Sequence, residues 1–316
     1  MSTTFEPLRC APFIKEIGRG VKGARSLSID QTHALYAAVL DGRVSDLELG
    51  AILLAYRIKG ESADELDGML RALHERLQPV AMPAGRAGVC IPTYNGARKL
   101  PNLVPLLAFL LAAEGVSVLL HGVRQDPGRV ATAEVLGAMG VAPAESSAQA
   151  EGELAGRGVA FLPIDVLAPV MARQLALRAT LGVRNSAHTL VKLMQAADPG
   201  TLRLVNYTHP PYRDTLTDYF GRAHAAPGAG VLLARGTEGE AVADANLVRE
   251  TGWLRDGVAT PLIVPDPAAP RVPAELPASR EAEPTAAWIR RALAGEVPVP
   301  APILRQRDAI LSVLGG

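Results

Sequence analysis

Residues 44–73 read VSDLELGAILLAYRIKGESADELDGMLRAL, and the class of fold turns on how this stretch is divided. Ser45-Asp46-Leu47-Glu48 and Ser62-Ala63-Asp64-Glu65 both have a serine followed three residues later by a glutamate. In that spacing the hydroxyl accepts an N–H of the first turn and the carboxylate reaches back to the serine's own N–H, so each marks a helix start. The first helix is expected to run through Arg57 and the second, after Lys59-Gly60, to about Leu77. Upstream, Ile29–Leu40 has apolar residues at helical spacing and stops at Asp41-Gly42. The first eighty residues are therefore predicted to be helical, with a boundary at Gln78-Pro79 and the Pro/Gly-rich 83–88.

Beyond that boundary the pattern changes to short apolar runs alternating with helical ones. Gly88–Ile91, Val116–His121, Val159–Pro163, Leu202–Asn206 and Val231–Ala234 are the predicted strands. Leu100–Ala113, Arg129–Gly140, Tyr212–Phe220 and Pro284–Ala294 are the predicted helices around them. Such alternation implies a mainly parallel sheet covered by helices. After Val258 prolines accumulate, and Pro261–Pro284 is expected to be an irregular meander. The expected fold class is thus α/β: a small all-helical domain beside a larger α/β domain with a central, mainly parallel sheet.

The chain has 316 residues, 48% hydrophobic and 20% charged, enough to bury a core in two domains. Aromatics make up only 4%, which disfavours a single-strand binder that stacks bases on exposed rings. Cys10 and Cys90 are too few for a disulfide framework or a zinc site, so a reducing compartment is expected. Leu103–Ala113 is too short to cross a bilayer, and MSTTFEPLRC lacks the pattern of a signal peptide. A cytoplasmic protein with no membrane partner is expected. His33, His74, His209 and His224 have no ligand partner at metal spacing, Ser146-Ser147 reads as a turn, and no nucleophile elbow occurs.

The formal net charge is zero, with 32 basic and 32 acidic residues, yet the signs are segregated. Residues 163–195, PIDVLAPVMARQLALRATLGVRNSAHTLVKLMQ, read as two helices joined by Leu181-Gly182-Val183 and contain no carboxylate after Asp165. From 166 to 213 the cations Arg173, Arg178, Arg184, Lys192, Arg203 and Arg213 face Asp198 alone. A desolvated cluster of cations needs an anion, and segregated charge makes a field that net charge conceals. At about 100° per residue, Arg184, His188 and Lys192 would share one helix face, unless Arg184 sits in the turn before an Asn185 or Ser186 cap. Arg173 and Arg178, five apart, cannot point straight into one groove. A basic patch must then be assembled from several elements or from two subunits. A second basic run, Lys15, Arg19, Lys22 and Arg25, lies near the start and reads mostly as wet surface.

The 44–73 segment, together with LLHGVRQDPGRVATAEVLGAMGV, LGVRNSAHTL, LRLVNYTHPPY and VLLARGTEGE, resembles the anthranilate phosphoribosyltransferase family, also called glycosyltransferase family 3. IPTYNGARK at 91–99 and GVRNSAHTL at 182–190 are closer still to its YbiB-like subfamily. The resemblance implies a class III nucleoside phosphorylase and phosphoribosyltransferase fold. It places a helical dimerisation domain at 1–82 with about 165–195, and an α/β domain at 83–164 and 196–316. It also implies a cytoplasmic homodimer that binds DNA or RNA, single- or double-stranded, through a basic surface with little sequence preference and without transferase activity. The alternative is a phosphoribosyltransferase or glycosyltransferase with an altered donor or acceptor.

Family enzymes hold pyrophosphate on a Gly-Thr-Gly-Gly-Asp-Gly loop. At the corresponding place this chain has Pro92-Thr93-Tyr94-Asn95-Gly96-Ala97, where proline removes a donor and Tyr94 fills space. The Lys-His-Gly-Asn-Arg segment becomes Leu120-His121-Gly122-Val123-Arg124, and the family's serines give way to Pro127-Gly128-Arg129-Val130-Ala131. The Asp-Glu pair that holds Mg²⁺ maps to Ala241-Val242, with Glu240 beside it. No catalytic residue, metal or cofactor is therefore expected. Asn95, Gly96, Asn102, His121, Gly122, Arg124 and Arg129 are expected to survive as an anion-binding remnant. Arg173, Arg178, Arg184, Lys192, Arg98 and Lys99 are the candidate nucleic-acid contacts. Arg184, which matches the arginine that meets the acceptor's carboxylate in the enzymes, reads equally as a structural arginine. Arg98 and Lys99, before the helix start suggested by Pro101-Asn102, read equally as solvated loop or anion holder.

Overall fold

The computed structural model describes residues 6–20, 22–268 and 273–315. It divides into two compact units, residues 1–78 with 168–194 and residues 79–167 with 195–316.

In the first unit, α1 (Ala11–Ile17), α2 (Ile29–Leu40), α3 (Asp46–Lys59) and α4 (Ala63–His74) are helices. Ser28, Ser45 and Ser62 each close a full capping box at the start of α2, α3 and α4. The α4 box also serves the core. Glu65 is fully buried and accepts from Leu27 N, Ser62 N and Lys59 Nζ at 3.0, 2.9 and 2.5 Å. The predicted start sites hold, although α4 stops at His74 because Arg76 and Leu77 close the turn with three-residue bonds.

The second unit opens with β1 (Gly88–Thr93), α5 (Val104–Ala113), β2 (Ser117–Gly122), α6 (Thr132–Ala138), α7 (Ser147–Arg157), β3 (Val159–Pro163) and α8 (Ile164–Leu167). The chain then passes into the first unit for α9 (Pro169–Ala176), α10 (Arg178–Leu181) and α11 (Ala187–Leu190). It returns as β4 (Leu202–Tyr207), α12 (Pro210–Phe220), β5 (Val231–Arg235), β6 (Thr251–Arg255), β7 (Val258–Ile263), α13 (Ala282–Leu293) and α14 (Ala301–Leu314). The sheet order is β3-β2-β1-β4-β5-β6-β7, parallel through the first five strands and antiparallel at β5-β6 and β6-β7. β1, β2 and β3 are buried along their whole length, as strands covered on both faces must be. Val89, Ile91, Leu106, Leu107, Val118, Leu120, Phe161 and Ile289 are among the residues that make one continuous core.

Three local expectations are corrected. Ser146-Ser147 is not a turn but the start of α7, where Ser146 Oγ accepts from Gln149 N at 3.1 Å. Strand β7 occupies the beginning of the expected proline meander, and its partner β6 has no counterpart among the predicted strands. Finally, 163–195 is not two helices. Leu177 interrupts the first part, Gly182 ends α10 with φ 71°, and α11 is four residues long.

Candidate functional site

Short helices separated by turns place the cations of 173–192 differently from a helical stripe. Arg184 lies before Asn185, whose Oδ1 accepts from Ala187 N at 3.0 Å ahead of α11, and Lys192 follows α11. No single helix face carries Arg184, His188 and Lys192, because α11 spans only Ala187–Leu190. Burial pushes the His188 ring down to about 4, and Arg184, Arg178 and Lys192 add to the fall by opposing a further positive charge. The neutral ring fits its hydrogen bond, since Asn185 N donates to Nδ1 at 3.3 Å. Arg178, Arg184 and Lys192 thus all contribute to the positive field felt at His188. Arg173 is exposed on α9, where Nη2 donates to the Leu40 carbonyl at 3.5 Å. The other two cations of the segregated run do not join them. Arg203 is buried in β4, donates to the Ala225 carbonyl and lies over the Phe220 ring. Arg213 pairs with Asp214 at 3.2 Å.

The expected anion remnant in the α/β unit is rearranged more deeply. Tyr94 is buried and its hydroxyl meets His121 Nδ1 at 2.7 Å. His121 is itself buried, which pushes its ring down to about 3 and keeps it neutral. It cannot reach an external anion. Asn102 is buried too, donating to Thr132 Oγ1 at 2.9 Å and accepting from Val104 N at 3.2 Å at the start of α5. Gly122 is there for packing, because a Cβ would lie 1.9 Å from the Thr93 carbonyl oxygen. Arg124 is committed to the side-chain carboxylates of Glu145, at 3.0 and 3.1 Å, and Asp165, at 3.2 Å. For these four the role expected from sequence is corrected: they hold strands and loops together.

Asn95, Gly96, Arg98, Lys99 and Arg129 do meet an anion, and it belongs to the chain. Glu240 Oε1 accepts from Asn95 N at 2.7 Å and from Gly96 N at 2.5 Å. The Glu238 carboxylate accepts from Arg98 N at 2.7 Å, Lys99 N at 3.0 Å and Leu100 N at 3.2 Å. Ala97 N is taken by the Val130 carbonyl, and Arg129 Nη1 donates to the Asn95 carbonyl at 3.2 Å. Burial alone would raise the Glu238 carboxyl, but the N–H groups of Lys99, Arg98 and Leu100, with Arg129 nearby, hold it below its ordinary value. Glu238 was not singled out from sequence. Its signal was GTEGE itself, two carboxylates around a glycine, which sequence comparison registered only as the place of a lost metal pair.

This loop follows β1, next to the point where the sheet order reverses between β2-β1 and β4-β5. In open α/β sheets that is where ligands bind. Residues 11–77 match the glycosyl transferase family helical bundle domain. The uncharacterised protein YbiB of Escherichia coli (strain K12) is 40% identical over 305 residues, covering 96% of this chain and 93% of the relative. The chain is a YbiB-like member of the anthranilate phosphoribosyltransferase superfamily. An anthranilate phosphoribosyltransferase of Sorangium cellulosum is 30% identical over 280 residues, or 85% of this chain and 76% of that one. The crystal structure of the Thermus thermophilus anthranilate phosphoribosyltransferase superposes with a TM-score of 0.73 at 26% identity, covering 96% of this chain and 89% of that one. The Saccharomyces cerevisiae enzyme in complex with PRPP and Mg shares the fold, with a TM-score of 0.72 at 14% identity.

The residues of this chain do not fit a divalent cation at the family's metal position. Ala241 and Val242 offer no side-chain oxygen there, and Glu240 Oε1 is already bonded to two backbone N–H groups. Among the described residues no group of three or more His, Cys, Asp or Glu side chains is placed to hold a metal. Among those residues, too, no helix is long and apolar enough to cross a membrane.

Proposed function

We propose that this protein is a non-catalytic binder of nucleic acid, a cytoplasmic homodimer that grips the phosphate backbone of DNA or RNA with little sequence preference. The observation that carries the proposal is a segment with no acidic residue from 166 to 197 that holds Arg173, Arg178, Arg184 and Lys192, with Arg173 and Arg178 exposed. Phosphate contact needs only such cations, and releases counterions in proportion to the phosphates neutralised. Arg98 and Lys99 have exposed side chains and supply a second point of contact. Transferase chemistry with an altered donor is disfavoured because the N–H groups that would hold the donor's pyrophosphate are bonded to Glu238 and Glu240. Dimerisation through the helical unit is supported by α3, which exposes Leu47, Leu54 and Ile58 on one side of the helix.

The test is a fluorescence titration with single- and double-stranded oligonucleotides over a salt series, beside calorimetry with phosphoribosyl pyrophosphate and Mg²⁺. Salt-sensitive oligonucleotide binding that Arg173→Ala with Arg178→Ala weakens, and no heat with the sugar donor, is the expected result. Donor binding without oligonucleotide binding would overturn the proposal in favour of the transferase.

A further inference from the structure

The two carboxylates at 238 and 240 are placed by a turn built for the purpose. Thr237 N and Glu240 N exchange bonds with each other's carbonyls at 3.0 and 2.9 Å, so the segment folds back on itself directly after β5. Glu238 is held at φ 52°, one of two non-glycine residues with positive φ among the described residues, and such a conformation costs free energy that its contacts must offset. Gly239 has φ 91°, and a Cβ there would fall 1.5 Å from Asn95 Nδ2, so only glycine lets the turn lie against the loop. Along that loop every N–H from Asn95 to Leu100 is accounted for. Five of the six point at the two carboxylates, and the sixth, of Ala97, bonds the Val130 carbonyl. Successive N–H groups converging in this way form a concavity suited to an oxyanion.

We propose that Glu238 and Glu240 are an internal anion, an autoinhibitory contact that fills the N–H array of residues 95–100 and closes it to external phosphate-class oxyanions. The physical reason is competition. A carboxylate tethered in place loses no translational freedom on binding, whereas a free oxyanion does, and it must also expel two negative charges already seated. Arg129, whose guanidinium lies within reach of both the loop and Glu238, supplies the positive field that either occupant would use. The chain therefore keeps the geometry of an anion site while denying it to solution. This inference does not rest on the proposed oligonucleotide surface: it concerns the backbone N–H groups of the loop, whereas Arg98 and Lys99 would meet a polyanion through their exposed side chains.

The test uses the full chain without metal, in chelator, and inorganic pyrophosphate as probe. Calorimetry should show the E238A/E240A variant binding pyrophosphate at least tenfold more tightly than the wild type. Hydrogen exchange supplies an independent readout. In E238A the amides of Arg98, Lys99 and Leu100 should exchange at least tenfold faster while those of Asn95 and Gly96 stay protected, and pyrophosphate should restore the protection. Should the double variant not fold, E238A alone carries the test, because Glu238 is only half-buried. Equal pyrophosphate affinity in the wild type and the folded variants would overturn the proposal, as would amides 98–100 that pyrophosphate leaves unprotected. Oligonucleotide binding is measured on the same samples. Its failure beside a gain of pyrophosphate binding would sink the polyanion surface and leave the internal anion standing.

Discussion

At the scale of single residues, His188 and Glu238 report opposite electrostatic environments. His188 is held neutral because partial burial disfavours its charged form and the positive field of Arg184, Arg178 and Lys192 adds to that. Phosphates that neutralise those cations would make a positive imidazole less costly. The midpoint of the His188 ring resonance in NMR titrations is therefore expected to rise from about 4 toward the ordinary range near 6.5 when an oligonucleotide is added. A midpoint that does not move would place the bound polyanion elsewhere. Glu238 behaves in the other sense. Its folded-state value lies below the unfolded one, so the stability it contributes is present above about pH 4.3 and is lost as pH falls through the folded value. Protection of the Arg98, Lys99 and Leu100 amides should accordingly decline on acidification below that range, in hydrogen exchange read by NMR, and should hold at neutral pH. His121 shows why matching residue types was insufficient. The residue is kept, but Tyr94 occupies the space a ligand would need and takes its Nδ1.

At the scale of elements, the capping boxes show how local chemistry is drawn into the core. Ser62 and Glu65 are legible as a helix start because the two bonds lie within four residues of chain. Their energetic weights differ for a reason no local pattern contains. Ser62→Ala should cost about 1 kcal/mol in urea denaturation, the ordinary value of a lost cap. Glu65→Ala should cost more, on the order of 3–5 kcal/mol, because it strands the half-buried Lys59 ammonium and the Leu27 N–H that the carboxylate serves. Equal losses in the two variants would mean that Glu65 acts only as a cap. The misses follow the same logic. Strand β6 pairs with β5 and β7 through backbone bonds, and its burial pattern has no run of buried residues to betray it. The 163–195 segment has helical periodicity throughout, but Leu177, Gly182 and the turn before Ser186 divide it into pieces of eight, four and four residues after α8.

At the scale of the whole molecule, zero net charge and a local excess of cations make opposite demands on a nucleic-acid partner, and salt separates them. If phosphate contacts dominate, the log–log slope of affinity against salt should be close to about 0.9 per neutralised phosphate on duplex DNA and about 0.7 on single strands. Arg173→Ala with Arg178→Ala should lower the slope by roughly two contacts' worth, and a slope unchanged by the pair would remove them from the surface. For the homodimer, Leu54→Asp on the exposed side of α3 should give a monomer by light scattering, and an unchanged mass would move the interface elsewhere. The amino-acid sequence by itself determined the helical first segment, the mainly parallel sheet and the superfamily, because capping boxes, apolar runs and family motifs are written in consecutive residues. It also located the segregated cations, since an absence of carboxylates needs no coordinates. Only the tertiary structure decided that those cations sit on short helices and turns and not along one helix face, and that the vacated phosphate loop is filled. Glu238 and Glu240 stand some 140 residues from the N–H groups they accept. Which distant groups meet is set by how the ends of β1 and β5 are brought together in the sheet, and no local pattern of residues records it.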